Sequence, residues 1–373
     1  MTGRIVASAI LVASLVLLPV FVSAQEERVD TKELELAWQQ LEDEYGQYLP
    51  DFNWKDLGSL VDYPALVGGL ARYFFHQVWA NANLLGQLII LAVLSALIAN
   101  MQASFSSEGV AQVCRAVIFM VLFSVTMYSY SLAVDLARNT VQAMTDMVLA
   151  LVPVLLSLLA ALGSISAAAL FQPLLLTTAA VVGNVVDNIV LPLLFAASVL
   201  AVVNQMLVGV GINKLAGLLK DISLWLLGFL VTIFAGVTIV NGGVAAVADG
   251  VAMRTGKFTA KAFIPVVGGM FSDAFETVAG AALILKNSIG LFGVIAVSVI
   301  CLFPILQLFA ITLIYRGTAA LLQPLGEDAV SETLEVLARH MYAVIGAVAA
   351  VGLMFFIIIT IIVAAANFMV MLR

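Results

Sequence analysis

Residues 84–101, LLGQLIILAVLSALIANM, decide the fold. Eighteen successive positions carry no charge, and a helix needs roughly 17–25 apolar residues to cross a hydrocarbon core about 30 Å thick. The same apolar density holds over most of the chain. Its 373 residues are 63% hydrophobic and 10% charged, with a mean hydropathy of +1.13. A soluble domain carries roughly 25% charged residues. Long continuous runs stand where a membrane barrel would need short alternating segments. The expectation is an all-α, polytopic helical membrane protein, with 84–373 as its multi-span domain.

Toward the amino terminus the character changes. MTGRIVASAILVASLVLLPVFVSAQEE has one early cation, Arg4, then an apolar stretch closing at Val22-Ser23-Ala24. This pattern predicts a signal peptide over 1–24, cleaved after Ala24; an uncleaved first span is the alternative. Either reading puts residues 25–83 outside the cytoplasm. That segment holds eleven acids against Arg28, Lys32, Lys55 and Arg72. Within it, Leu34, Trp38, Leu41, Tyr45 and Tyr48 recur at steps of three and four, which predicts an amphipathic helix over 31–49. PALVGGLARYFFHQVWANAN predicts a second helix at headgroup depth, on account of Tyr73, Phe74, Phe75 and Trp79. His76 there has no Cys, Asp or second His at ligand spacing.

Toward the carboxyl terminus, three hairpins share one grammar: a span, a short amphipathic connector ending in a cation, and another span. The connector cations are Arg115, Lys220 and Arg339. The second span is expected to end near Val134, and the last to begin at Met341. Pro153 and Pro192 lie 39 residues apart, as do Pro265 and Pro304, and the two pairs match at an offset of 112. This predicts an internal duplication with units of about 100–211 and 212–323. Topology stays open. Cytoplasmic connectors would put Arg254, Lys257 and Lys261 outside, against the positive-inside rule. An extra crossing or a re-entrant segment between 147 and 188 would reverse that.

Enzyme motifs do not occur: there is no HExxH, GxSxG or CxxC, and the histidines are His76 and His340. ADGVAMRTGKFT resembles a phosphate loop only faintly, since five residues separate Gly250 from Gly256 and Phe258 replaces the Mg²⁺-binding hydroxyl. Cys114 and Cys301 sit in apolar runs and read as small hydrophobes. No basic cluster points to nucleic acid. The reading is a non-enzyme with no catalytic, cofactor or metal residues.

One constellation remains, in FIPVVGGMFSDAFETVAGAALILKNSIGLFG, residues 263–293. Pro265 and Gly268 would permit a helix break or a re-entrant entry, tolerated where backbone is buried in protein or lines a cavity. Gly269, Asp273, Glu276, Gly280 and Asn287 fall within about 40° of one another at 100° per residue. A charge at mid-bilayer costs roughly 2.5–3.5 kcal/mol, whereas each Leu or Val returns about 0.3–0.6. The two carboxylates therefore face protein or water, or sit at an aqueous end of a span. The stripe is expected to line a conduit or a packing face. The competing reading makes 249–277 loop and surface helix before one ordinary span.

The run AVADGVAMRTGKFTAKAFIPVVGG, followed by FSDAFETVAGAALILKNSIGLFG, resembles the most characteristic region of the stage III sporulation protein AE family. The likeness is specific over 241–293 and compatible elsewhere. Members of that family belong to endospore-forming bacteria. The resemblance implies companions: a secretion-type ATPase, ring-forming proteins, small membrane proteins and, indirectly, a forespore partner. It implies a polytopic core subunit of a secretion or feeding channel in the mother-cell membrane around the forespore, sustaining late forespore gene expression. It supplies no catalytic residues. An autonomous ion-coupled secondary transporter of a small solute is the alternative that intramembrane carboxylates and a duplication would also suit.

Overall fold

The computed structural model describes residues 39, 41–48, 63–102, 108–162, 165–206, 211–237, 268–325 and 328–371. Over 268–286, and in a few short stretches elsewhere, it describes the helix path without the side chains. Among the described residues every regular element is helical. A turn of helix at 41–45 runs into the 3-10 turn Gly46–Tyr48. Two helices follow, α1 (Tyr63–Ala80) and α2 (Ala82–Gln102). Then comes α3 (Glu108–Ala161), which turns back into α4 (Ile165–Val185). A π-wound turn, Val186–Val190, joins α4 to α5 (Leu191–Met206) in one rod. The remaining helices are α6 (Asn213–Val237), α7 (Gly268–Leu322) and α8 (Asp328–Met371).

Among the described residues six helical stretches are long and apolar enough to cross a membrane: Val67–Ser95, Ala116–Ala161, Ala168–Gln205, Asn213–Val237, Asn287–Leu322 and Val330–Ala364. The protein is an all-α, multi-pass membrane protein. Residues 84–101 fall inside α2, as their composition requires.

The expected end of the second span near Val134 is overturned, because α3 runs unbroken through 135–146 to Ala161. DLARNTVQAMTD reads as a loop by polarity, yet it contains neither Gly nor Pro, and its apolar positions keep helical spacing. Two of the connectors likewise fold as the first turns of the helix that follows, Lys220 within α6 and Arg339 within α8. The third sits at the start of α3, which carries Arg115.

Prolines sit inside these helices without ending them: Pro153 in α3, Pro173 in α4 and Pro304 in α7. Pro192 has a visible consequence. It has no N–H to offer the carbonyl four residues back, which belongs to Asn188. The backbone meets this by winding 186–190 as a π-turn, in which the Leu191 N–H bonds to the Val186 oxygen.

Two long hairpins form the core, α3 with the α4–α5 rod, and α7 with α8. Close contacts fix their register. The Tyr315 hydroxyl donates to the Thr126 carbonyl at 3.4 Å. A Cβ on Gly352 would strike Cys301 and come within 3.5 Å of the Met144 sulfur. One on Gly293 would come within 2.8 Å of Leu151. As numbers rise along α3 they fall along α7, so the two helices are antiparallel. The turn after Ala161 and the turn after Leu322 therefore lie at opposite ends of the bundle.

Six threonine hydroxyls are satisfied within their own helices, as a dry environment demands. Thr126, Thr140, Thr145, Thr312, Thr318 and Thr360 each donate to the carbonyl four residues earlier, at 2.7–2.9 Å.

Candidate functional site

At mid-length the apolar bundle carries an ion pair. Arg138 on α3 donates from Nε to Asp187 Oδ1 at 2.9 Å. Gln142, one helical turn further, donates from Nε2 to Asp187 Oδ2 at 2.8 Å. Both carboxylate oxygens are thus held, while side-chain exposure is 38% for Arg138 and 11% for Asp187. The π-turn carries Asp187, and one residue beyond it the Asn188 amide donates back to Asn184. Close packing supports the pairing: Gly183 meets Thr145 where a Cβ would collide.

Around this pair α3 exposes a polar row of Asp135, Asn139, Gln142 and Asp146, and α4 with the π-turn exposes Asn184 and Asn188. At 100° per residue the four α3 positions lie within about 60° of one another, and they span roughly 17 Å of helix. Asp135 and Asp146 have no ion pair among the described residues. By the register, Cys301 and Gly352 lie level with Met144, so Phe303 and Gln307 fall within this same height. Sequence reading missed the site because Arg138 and Asp187 are 49 residues apart. One signal was available, a lone acid at 187 inside a run otherwise fit for a bilayer.

On another side of that height the amino-terminal turn docks. Tyr45 stacks on Phe303 with ring centroids 4.4 Å apart, and Tyr73 meets Phe303 edge-on at 4.7 Å. Tyr48 packs edge-on against Tyr73 at 5.1 Å, and the Tyr73 hydroxyl donates to Gln307 at 3.4 Å. Glu42, Asp43 and Glu44 remain exposed. Burial, with Glu44 beside it, pushes the pKa of the Tyr45 hydroxyl up. The predicted stripe Leu41–Tyr45–Tyr48 does find a partner, and it is α7 together with α1. Leu34 and Trp38 lie outside the described residues.

The other predicted residues fall as follows. α7 begins at Gly268 and carries Gly269, Asp273, Glu276, Gly280 and Asn287 on one uninterrupted helix; Pro265 lies outside the described residues. Since Leu151 faces Gly293, Leu162 falls level with about Ala282 in an antiparallel pair with 1.5 Å per residue. The first fourteen residues of α7 therefore run past the turn that joins α3 to α4. Of the five stripe residues the side chain is described for Asn287, whose Oδ1 is buried without a hydrogen-bond partner among the described residues. Lys220 and Arg339 both come near the buried His340, whose Nδ1 lies 2.9 Å from the Val336 oxygen. The Arg115 side chain lies outside the described residues. A separate open cavity of about 700 Å³ lies where α1 meets the α7–α8 turn, lined by Phe74, Phe309, Arg316, Glu332, Glu335 and Tyr342.

Fold and site together define a polytopic, all-helical membrane protein with a charged level inside an apolar bundle. Comparison with known proteins narrows this. The family model described as stage III sporulation protein AE matches residues 58–366. Stage III sporulation protein AE of Bacillus subtilis (strain 168) is 36% identical over 354 residues, covering 92% of this chain and 88% of that protein. The chain belongs to the stage III sporulation protein AE family and has a role in sporulation. No solved structure matches it.

Proposed function

We propose that the chain is the polytopic membrane core subunit of a sporulation-specific secretion or feeding channel between mother cell and forespore, required for late forespore gene expression. It acts from the mother-cell membrane engulfing the forespore, alongside a secretion-type ATPase, ring-forming proteins and small membrane proteins. It carries out no catalysis of its own. The observation that carries this reading is the polar row around Arg138–Asp187. Exposed carboxylates and amides on a membrane-grade bundle suit a surface that meets water or partners, and lipid would penalise them. Purification of the tagged chain from sporulating cells, in mild detergent, tests it. The expected result is co-purification of an ATPase and ring-forming proteins. A chain that purifies alone and drives solute uptake in liposomes would sink the proposal.

That second outcome belongs to the alternative, an autonomous ion-coupled secondary transporter. One specific observation favours it: the two long hairpins turn at opposite ends, as inverted repeats do around a mid-membrane site.

A further inference from the structure

The apolar helices are too long for the membrane they must cross. Ala116–Ala161 has 46 residues, and Asn287–Leu322 and Val330–Ala364 have 36 and 35. At 1.5 Å per residue these are roughly 50–70 Å, against a hydrocarbon core of about 30 Å. Tilt absorbs only part of such a mismatch, since spanning helices tilt by about 20° on average.

We infer that the bilayer takes only the half of the bundle between the Arg138–Asp187 level and the turn joining α3 to α4, and that the other half stands in water. Four observations converge on that boundary. First, exposed charges from separate parts of the chain gather within roughly 10 Å of this level along the bundle axis: Asp135 and Asp146 on α3, and Glu42 and Glu44 on the docked turn. Second, the half toward the α3–α4 turn has no Asp, Glu, Lys or Arg in 147–186, 288–306 or 347–372. Third, its length fits. From Asp187 back to Ile165 is roughly 33 Å of helix, one hydrocarbon thickness. Fourth, the opposite half carries exposed Glu332, Glu335 and Arg339 on α8 and exposed Arg316 on α7.

A second copy covering the polar row would bring Asp135 and Asp146 against their own kind, so self-association there is disfavoured. The arrangement has a cost: it takes out of lipid the exposed Ile90, Val93, Leu94 and Leu97 of α2, Val117, Met120, Val121 and Leu132 of α3, and Phe309, Leu313 and Leu321 of α7. Four charges kept in water still outweigh these apolar side chains on insertion scales. The inference requires only that the chain lies in a membrane, and it holds or fails independently of the secretion reading.

The test uses the full chain in open membrane sheets, where both aqueous faces are reachable. Single cysteines are introduced in a C114A/C301A background at Asp135, Asn139 and Glu332, and at the exposed apolar positions Leu170 and Phe356 of the other half. The probe is a charged, membrane-impermeant maleimide. Asp135→Cys, Asn139→Cys and Glu332→Cys should label roughly tenfold or more faster than Leu170→Cys and Phe356→Cys. After detergent solubilisation all five should label, which shows that each introduced thiol is present and reactive once the lipid is removed. Leu170→Cys or Phe356→Cys labelling in membranes as fast as the polar positions would overturn the inference. So would protection of Asp135→Cys and Asn139→Cys until detergent is added.

Discussion

Asp187 shows what a single side chain costs and returns in this fold. A carboxylate buried in apolar surroundings persists only when its charge and lone pairs are answered. Here Arg138 answers the charge and Gln142 the second oxygen. Removing one partner leaves the other uncompensated. Asp187→Asn should lower stability by roughly 1–3 kcal/mol, below the range for a fully buried pair because Arg138 is partly exposed. The paired change Asp187→Leu with Arg138→Met should cost less than Asp187→Asn alone. Thermal unfolding of the purified chain in detergent reads both. A single variant as stable as the parent would show that water already solvates the site. None of this pairing was legible in the sequence. Residue spacing carries information over one or two helical turns, and the 49 residues between Arg138 and Asp187 include a reversal of the chain.

At the scale of elements, period and composition gave helices where helices are, and failed at their ends. The polar stretch 135–146 looked like a break because sequence reading treats polarity as loop. Helix continuity instead follows from the lack of Gly and Pro there, and from packing that continues on both sides: Val134, Ala137 and Val141 are buried, as are Met144 and Val148. Pro153 and Pro304 lie inside α3 and α7 without ending them, because a long helix packed on its neighbours absorbs a proline. The stripe residues lie on the single helix α7, and the register carries the first of them past the α3–α4 turn, where an aqueous end is one of the environments a carboxylate accepts. We propose that Asp273 and Glu276 serve function there rather than stability. Asp273→Asn combined with Glu276→Gln should abolish the formation of heat-resistant spores while leaving the amount of membrane-inserted chain unchanged. A fully active double variant would remove the stripe from the functional account.

For the whole molecule the sequence argued class better than placement. Hydropathy alone made the chain a multi-pass helical membrane protein, because nothing else tolerates a mean of +1.13. Hydropathy could not say which part of each helix lies in lipid, since a window average runs evenly through a 46-residue apolar stretch. The structure divides those stretches by bringing the charges of distant segments to one height. A charge placed in each half therefore discriminates. Leu170 and Leu313 are both exposed, at 54% and 52%, one toward the α3–α4 turn and the other one turn of helix from Arg316. If the boundary is where the charges put it, Leu170→Lys places an ammonium in hydrocarbon at roughly 2.5–3.5 kcal/mol on insertion scales, moderated by snorkelling. Leu313→Lys adds a cation to a surface that already carries Arg316, Glu332 and Glu335 around an open cavity, where a surface substitution shifts stability by about 0.5 kcal/mol or less. Membrane accumulation and thermal stability in detergent should both fall for the first variant and stay near the parent for the second. Equal losses would mean that lipid surrounds both halves, and the helices would then have to meet the bilayer by steep tilt instead of by standing partly outside it.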